Sequence, residues 1–137
     1  MASRYSQIKI LLVDDTSFLR ASLIKELHSI GFDKVNIDEC GDGKEAFDKL
    51  RSGIERFDIV LSDWNMPRLS GLDLLKLVRS YDDEKLSKIP FVLVTTVSEK
   101  DKIIEALSFN VTSYLIKPVQ NKKLLEIVEK IFGKNEG

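Results

Sequence analysis

Short apolar runs alternate with segments of helical period from one end of this chain to the other, and that alternation admits few architectures. Strand followed by helix, repeated, folds into β/α units around a parallel sheet. Five such units fit. The first strand spans Ile8 to Val13, followed from about Thr16 to Ile30 by a helix whose Leu23, Leu27 and Ile30 share one face. Gly31 suits the left-handed position beyond that helix, with Phe32 placed to pack back on its last turn. The second strand, Val35 to Glu39, alternates apolar with polar residues, as a sheet edge does. A short helix from Lys44 to about Arg51 follows, then strand Asp58 to Ser62, a helix from about Gly71 to Ser80, and strand Phe91 to Thr95 entered through Pro90. The middle strands are continuously apolar, which burial on both faces requires. Glu99 to Phe109 is the fourth helix and Ser113 to Ile116 the fifth strand. The last helix carries the stripe Leu124, Ile127, Val128 and Ile131. The expected fold is therefore α/β, a doubly wound five-stranded parallel sheet with five helices.

The units use up the chain: 137 residues make one domain, 1–137, with its core in 8–132, and no separate output module is expected. A 43% hydrophobic content is enough for a core in a chain of this length. With 21 basic against 22 acidic residues, the overall field offers no footprint for nucleic acid or an anionic membrane. Cys40 is the only cysteine, which excludes an internal disulfide. The apolar run Ile10 to Val13 is too short for a signal-peptide core or a membrane span, so the expectation is a soluble cytoplasmic protein.

Ligands of an open parallel sheet bind outside the carboxyl ends of its strands. Here the first strand ends in Asp14 and Asp15, the third in Asp63, the fourth in Thr95 and Thr96, and the fifth in Lys117 before Pro118. Singly, each has an ordinary reading. Asp15 serves as a helix cap, Asp63 as a turn acid, Thr95 as a hydroxyl satisfied by backbone, and Lys117 as a surface cation. Together, three carboxylates repel one another unless a cation relieves them. Magnesium suits such a site, because it takes few carboxylates, keeps several waters and shares its shell with phosphate oxygens. Zinc does not, since Cys40 and His28 are each alone of their kind and lie in different units. Metal, ammonium and hydroxyl at one edge point to phosphoryl transfer, with Asp63 as the carboxylate able to form an aspartyl phosphate.

The run Asp63-Trp64-Asn65-Met66-Pro67 with Ser70-Gly71-Leu72-Asp73-Leu74-Leu75 resembles bacterial two-component response-regulator receiver domains of the stand-alone, CheY-like chemotaxis type. Leu12-Val13-Asp14-Asp15, Gly41-Asp42-Gly43-Lys44-Glu45-Ala46, Val94-Thr95-Thr96 and Tyr114-Leu115-Ile116-Lys117-Pro118 support it, in family order from Ile8 to Phe132. The resemblance implies strand order 2-1-3-4-5, Asp63 as phosphoacceptor, and Mg²⁺ held by Asp14, Asp15, Asp63 and the backbone carbonyl of Asn65. Lys117 would contact the phosphoryl group, Thr95 would turn its hydroxyl toward it, and Tyr114 would follow. It also implies a cis Lys117–Pro118 peptide, which X–Pro frequencies alone do not favour. Mg²⁺-dependent self-phosphorylation from small donors and self-dephosphorylation would make the chain a switch and not an enzyme acting on other substrates. The implied partners are a sensor histidine kinase and a target protein, the latter on the face of the fourth helix, fifth strand and fifth helix. A flagellar motor switch component is the expected target. An intermediate carrier passing phosphate to a histidine phosphotransfer domain is the alternative.

The resemblance further implies that three residues would bear on phosphoryl lifetime: Asn65, Thr96, which is larger than the family's usual residue there, and Val97. Asn110 stands where many relatives carry glycine, a position asparagine tolerates in the left-handed conformation. Two rivals fit poorly. A flavin domain needs a phosphate-cradling loop after the first strand, and two acids there would repel the phosphate. An aspartyl-phosphate phosphatase generally places an acid two residues after its nucleophile, where this chain has Asn65.

Overall fold

The alternation folds, in this computed structural model, into β1 (Ile10–Val13), α1 (Ser17–Ser29), β2 (Ile37–Cys40), α2 (Gly43–Ser52), β3 (Ile59–Asp63), α3 (Gly71–Arg79), β4 (Phe91–Thr95), α4 (Lys100–Ser108), β5 (Ser113–Ile116) and α5 (Asn121–Phe132). The structure describes residues 3–96 and 100–134. All strand pairs are parallel and the order is β2-β1-β3-β4-β5.

Period-two alternation divides the strand residues between two apolar layers. Leu11, Val13, Val60, Phe91 and Leu93 face a layer closed by Ala46, Leu74, Leu75, Val78 and Ala106 from α2, α3 and α4. Ile10, Leu12, Ile59, Leu61, Val92 and Val94 face the other, closed by Leu23 and Leu27 of α1 and by Leu124 and Val128 of α5. Every residue of β1, β3 and β4 is buried, which is why those strands read as unbroken apolar runs. The edge strands β2 and β5 are part exposed. Burying one leucine such as Leu12 stabilises by about 1.5–3 kcal/mol. An exposed pair such as Lys88–Glu84 contributes about 0–1 kcal/mol, so the layers and not the surface pairs fix the fold.

Local hydrogen bonds move several boundaries from where periodicity put them. Ile8 is lost to β1 because its N–H donates to the Tyr5 carbonyl at 3.1 Å in a turn. Val35 is lost to β2 because the Asp33 carboxylate accepts its N–H at 3.0 Å and caps a 3₁₀ turn over Lys34–Asn36. Besides the five helices expected, a one-turn helix forms at Glu84–Ser87, capped by Asp83. The fourth helix is described from Lys100, its expected start at Glu99 lying outside the described residues. Gly31 (φ 117°) and Asn110 (φ 60°) both take the positive φ expected of them. Tyr5, ahead of the first apolar run, is fully buried, stacks on Phe32 at 5.2 Å between ring centroids, and donates its hydroxyl to the Gly133 carbonyl at 2.6 Å.

Candidate functional site

Parallel strands deliver their carboxyl ends to one edge, and the residues just past β1, β3, β4 and β5 meet there. Asp14 follows the last residue of β1, and its N–H still donates to the Cys40 carbonyl at 3.0 Å, so its backbone belongs to the sheet. Its carboxylate accepts the Thr16 N–H at 2.8 Å and is 7% exposed. Asp15 points its exposed carboxylate to the same place. The helix-cap reading of Asp15 is not what forms: the N-cap of α1 is Thr16. Asp63 ends β3 and is 8% exposed. Its Oδ1 accepts from the Trp64 N–H at 2.8 Å and from Lys117 Nζ at 2.8 Å, which fixes the carboxylate plane.

One oxygen from each of Asp14, Asp15 and Asp63 lies within 4.8 Å of the others. The electrostatic cost falls on Asp14. Burial raises its pKa, the Thr16 N–H pulls it back, and the neighbouring charge of Asp63 pushes it up again. Lys117 is the one cation bonded to Asp63 among the described residues, and a single ammonium does not balance three carboxylates. This donor set, all hard oxygen with no thiolate or imidazole, fits Mg²⁺ and supplies the negative charge it would neutralise.

Thr95 is buried at the end of β4, and its Oγ1 donates to the Thr96 carbonyl at 3.4 Å. The Lys117 N–H donates to the Thr95 carbonyl at 2.7 Å, tying the end of β5 to β4. The Lys117–Pro118 peptide is cis. Asn65 and Thr96 are exposed beside the cluster, while Val97 lies outside the described residues. Tyr114 is not part of the cluster. It pairs with Leu93 in the sheet, two residues before Thr95 on the same face, and is 40% exposed. A largely apolar cleft of about 350 Å³ adjoins the site, its walls including Asp14, Leu19, Leu23, Lys117 and Val119.

Sequence reasoning missed Arg20. One turn into α1, its guanidinium donates to the Asp14 carbonyl and to Glu39 Oε1 at 2.9 Å, tying the loop after β1 to β2. The only signal for it was a cation one turn past Thr16, opposite an acidic edge strand.

Residues 10–129 match the family model of the response regulator receiver domain. The chemotaxis protein CheY of Pseudomonas aeruginosa is 42% identical over 130 residues, spanning 95% of this chain and all of that protein. Chemotaxis protein CheY1 of Helicobacter pylori is 36% identical over 129 residues, spanning 94% of this chain and all of that protein. Among solved structures, the chemotaxis response regulator CheY4 of Vibrio cholerae superposes with a TM-score of 0.76 at 29% identity, covering 90% of this chain and 98% of that one. Among the described residues no helix is long and apolar enough to cross a membrane. Sheet order, a three-carboxylate edge with its lysine, and near full-length similarity to chemotaxis regulators agree: the chain belongs to the response regulator receiver domain family.

Proposed function

We propose that this protein is a phosphorylation-dependent switch in chemotaxis, a cytoplasmic response regulator that takes a phosphoryl group on Asp63 from the phosphohistidine of a sensor histidine kinase. The observation that carries the reading is the Asp14, Asp15 and Asp63 cluster with Lys117 Nζ 2.8 Å from Asp63 Oδ1. Asp14, Asp15, Asp63 and the Asn65 carbonyl would hold Mg²⁺, whose chemistry is to neutralise charge on the transferring phosphoryl oxygens. A carboxylate oxygen of Asp63 attacks phosphorus, an O–P bond forms, the N–P bond breaks, and the imidazole nitrogen leaves with the electron pair. Lys117 holds Asp63 in orientation and stays beside the new phosphoryl oxygens. In the separate step that resets the switch, water attacks phosphorus, the Asp63 O–P bond breaks, and Asp63 returns as carboxylate with inorganic phosphate released. Asn65 and Thr96, together with Val97, which lies outside the described residues, would set the phosphoryl lifetime. The apolar cleft against α1 supports docking of the donor domain next to the acceptor.

The response is read on the face of α4, β5 and α5. Ile104, Leu107, Tyr114 and Ile116 expose apolar surface there, and a groove of about 600 Å³ runs between β5 and α5. Thr95 and Tyr114, on one side of the sheet, connect the site to this face, and a flagellar motor switch component is the proposed target. A small acyl phosphate donor with Mg²⁺ should add one phosphoryl group, base-labile and located on Asp63 by mass mapping, and Asp63→Asn should abolish it. Label on Ser62 or Thr95 would sink the assignment. The phosphorylated form should bind a motor switch component more tightly than the unmodified form; transfer to a histidine phosphotransfer domain with no such binding would make it a relay carrier instead.

A further inference from the structure

The loop between β3 and α3 carries the Asn65 carbonyl and is held by an ion pair that no motif of the sequence announces. At its tip Arg68 has φ 66°, left-handed backbone that a residue with a Cβ adopts at a cost. Its guanidinium reaches the loop after β2, where Nη2 donates to Asp42 Oδ2 at 2.5 Å and Nε donates to the same oxygen at 3.1 Å. Asp42 is itself fixed, because its Oδ1 accepts the Glu45 N–H at 2.8 Å as the N-cap of α2. The contact between the two loops continues in the backbone: a Cβ on Gly43 would meet the Leu69 carbonyl oxygen at 2.4 Å. At its far end the loop is closed by the Gly71 N–H donating to the Trp64 carbonyl at 2.8 Å. The residues between Trp64 and Gly71 are therefore pinned at both ends, and Arg68 reaches across from their exposed tip.

We propose that Arg68 is a positioning residue for the metal and phosphoryl site, its two hydrogen bonds to Asp42 Oδ2 fixing the loop that presents the Asn65 carbonyl. The inference rests on the proposed Mg²⁺ site. With the Arg68 end in solvent the ion pair alone contributes little to stability, and a left-handed arginine offsets part of that little. Holding a ligand-bearing loop against a capped helix gives the pair a role that stability does not. Outer-shell partners of this kind typically change metal affinity by about 10–100-fold.

Two conservative variants test it, since asparagine accepts left-handed backbone at Arg68 and caps a helix as well as aspartate at Asp42. Mg²⁺ is titrated into wild type, Arg68→Asn, Asp42→Asn and the double variant, following Trp64 fluorescence and the Mg²⁺-dependent rise in Tm. Each single variant should raise the Mg²⁺ Kd by about tenfold, the low end of that range. The double variant should be no worse than either single one, and the metal-free Tm of Arg68→Asn should be unchanged or higher. A simple charge field gives opposite signs, because removing Arg68 would tighten Mg²⁺ binding while neutralising Asp42 would weaken it. Opposite signs, penalties that multiply in the double variant, or single variants that bind as wild type does overturn the positioning role. A wild type with no Mg²⁺ response in either readout overturns the metal site beneath it, and the inference with it.

Discussion

Asp14 shows how much a single carboxylate can be asked to bear. It is buried beside Asp63 and Asp15, and its pKa is raised, with desolvation the largest cause. For a carboxylic acid a raised value means that the folded state binds the proton more tightly than the unfolded chain. Stability contributed by this group therefore rises as pH falls from above the raised value toward the unfolded value near 3.8, and is lost again on return to neutral pH. Asp14→Asn, whose Oδ1 can still accept the Thr16 N–H, should be more stable than wild type in metal-free solution at neutral pH. For a chain of this size each 1 kcal/mol of relief would read as a Tm gain of roughly 3–5 °C. The gain should shrink as the pH is lowered toward the unfolded value near 3.8, because wild type then takes up the proton increasingly, and a gap constant with pH would remove repulsion as its cause. Mg²⁺ should raise the Tm of wild type and not of the variant. The strain was legible in sequence because two strand ends that meet at one sheet edge finish in three acids between them. The Arg20 bond to the Asp14 carbonyl was not, because a cation one turn into a helix looks like any solvated one until the sheet edge beside it is known.

Elements meet at this site with backbone almost touching backbone, and glycine marks where. A Cβ on Gly71 would lie 2.1 Å from the Asp63 carbonyl oxygen and 2.9 Å from Leu93 Cδ2, so α3 could not stay where it is. Gly71→Ala should cost about 1–3 kcal/mol in denaturant unfolding, the usual range for overpacking, and should also slow phosphorylation by displacing the backbone of Asp63. Gly41→Ala, with nothing within 4 Å of its added carbon, should stay within about 0.5 kcal/mol of wild type. The long elements were readable because burial on two faces leaves unbroken apolar runs and helices buried on one face leave stripes. The short ones were not. Lys34–Asn36 and Glu84–Ser87 exist because Asp33 and Asp83 each capture backbone N–H groups nearby, a competition that periodicity does not register. Tyr5 was passed over because its partners, Phe32 and the Gly133 carbonyl, are distant in sequence.

At the scale of the whole molecule the sheet order separates the proposed phosphoryl site from the proposed target face and keeps both attached to the same strands. Asp14, Asp63 and Lys117 gather at the carboxyl edge, while Thr95 at the end of β4 and Tyr114 on β5 share the side that faces α4. That much followed from the alternating pattern and the family order; the outward pose of Tyr114, 40% exposed, did not, because a tyrosine with a polar tip fits either position. If Thr95 and Tyr114 carry the signal, phosphorylation and target binding bias one equilibrium, and each must then strengthen the other by the same factor. A peptide from the target should raise the affinity for a non-covalent phosphoryl mimic at Asp63, with a coupling of about 1–3 kcal/mol. Thr95→Ala should weaken that coupling while leaving Mg²⁺ affinity unchanged, since the hydroxyl, which donates to the Thr96 carbonyl in the unphosphorylated site, is proposed to turn to the phosphoryl group and is not among the proposed metal ligands. Lys117→Ala should weaken it too, and should change Mg²⁺ affinity as well, because Asp63 then loses the ammonium 2.8 Å from its Oδ1. The two variants thus separate transmission from charge balance. Peptide affinity measured with and without the mimic, in wild type and in Thr95→Ala, decides between routes: coupling undiminished in the variant would mean that the signal reaches α4 without passing through the β4 hydroxyl.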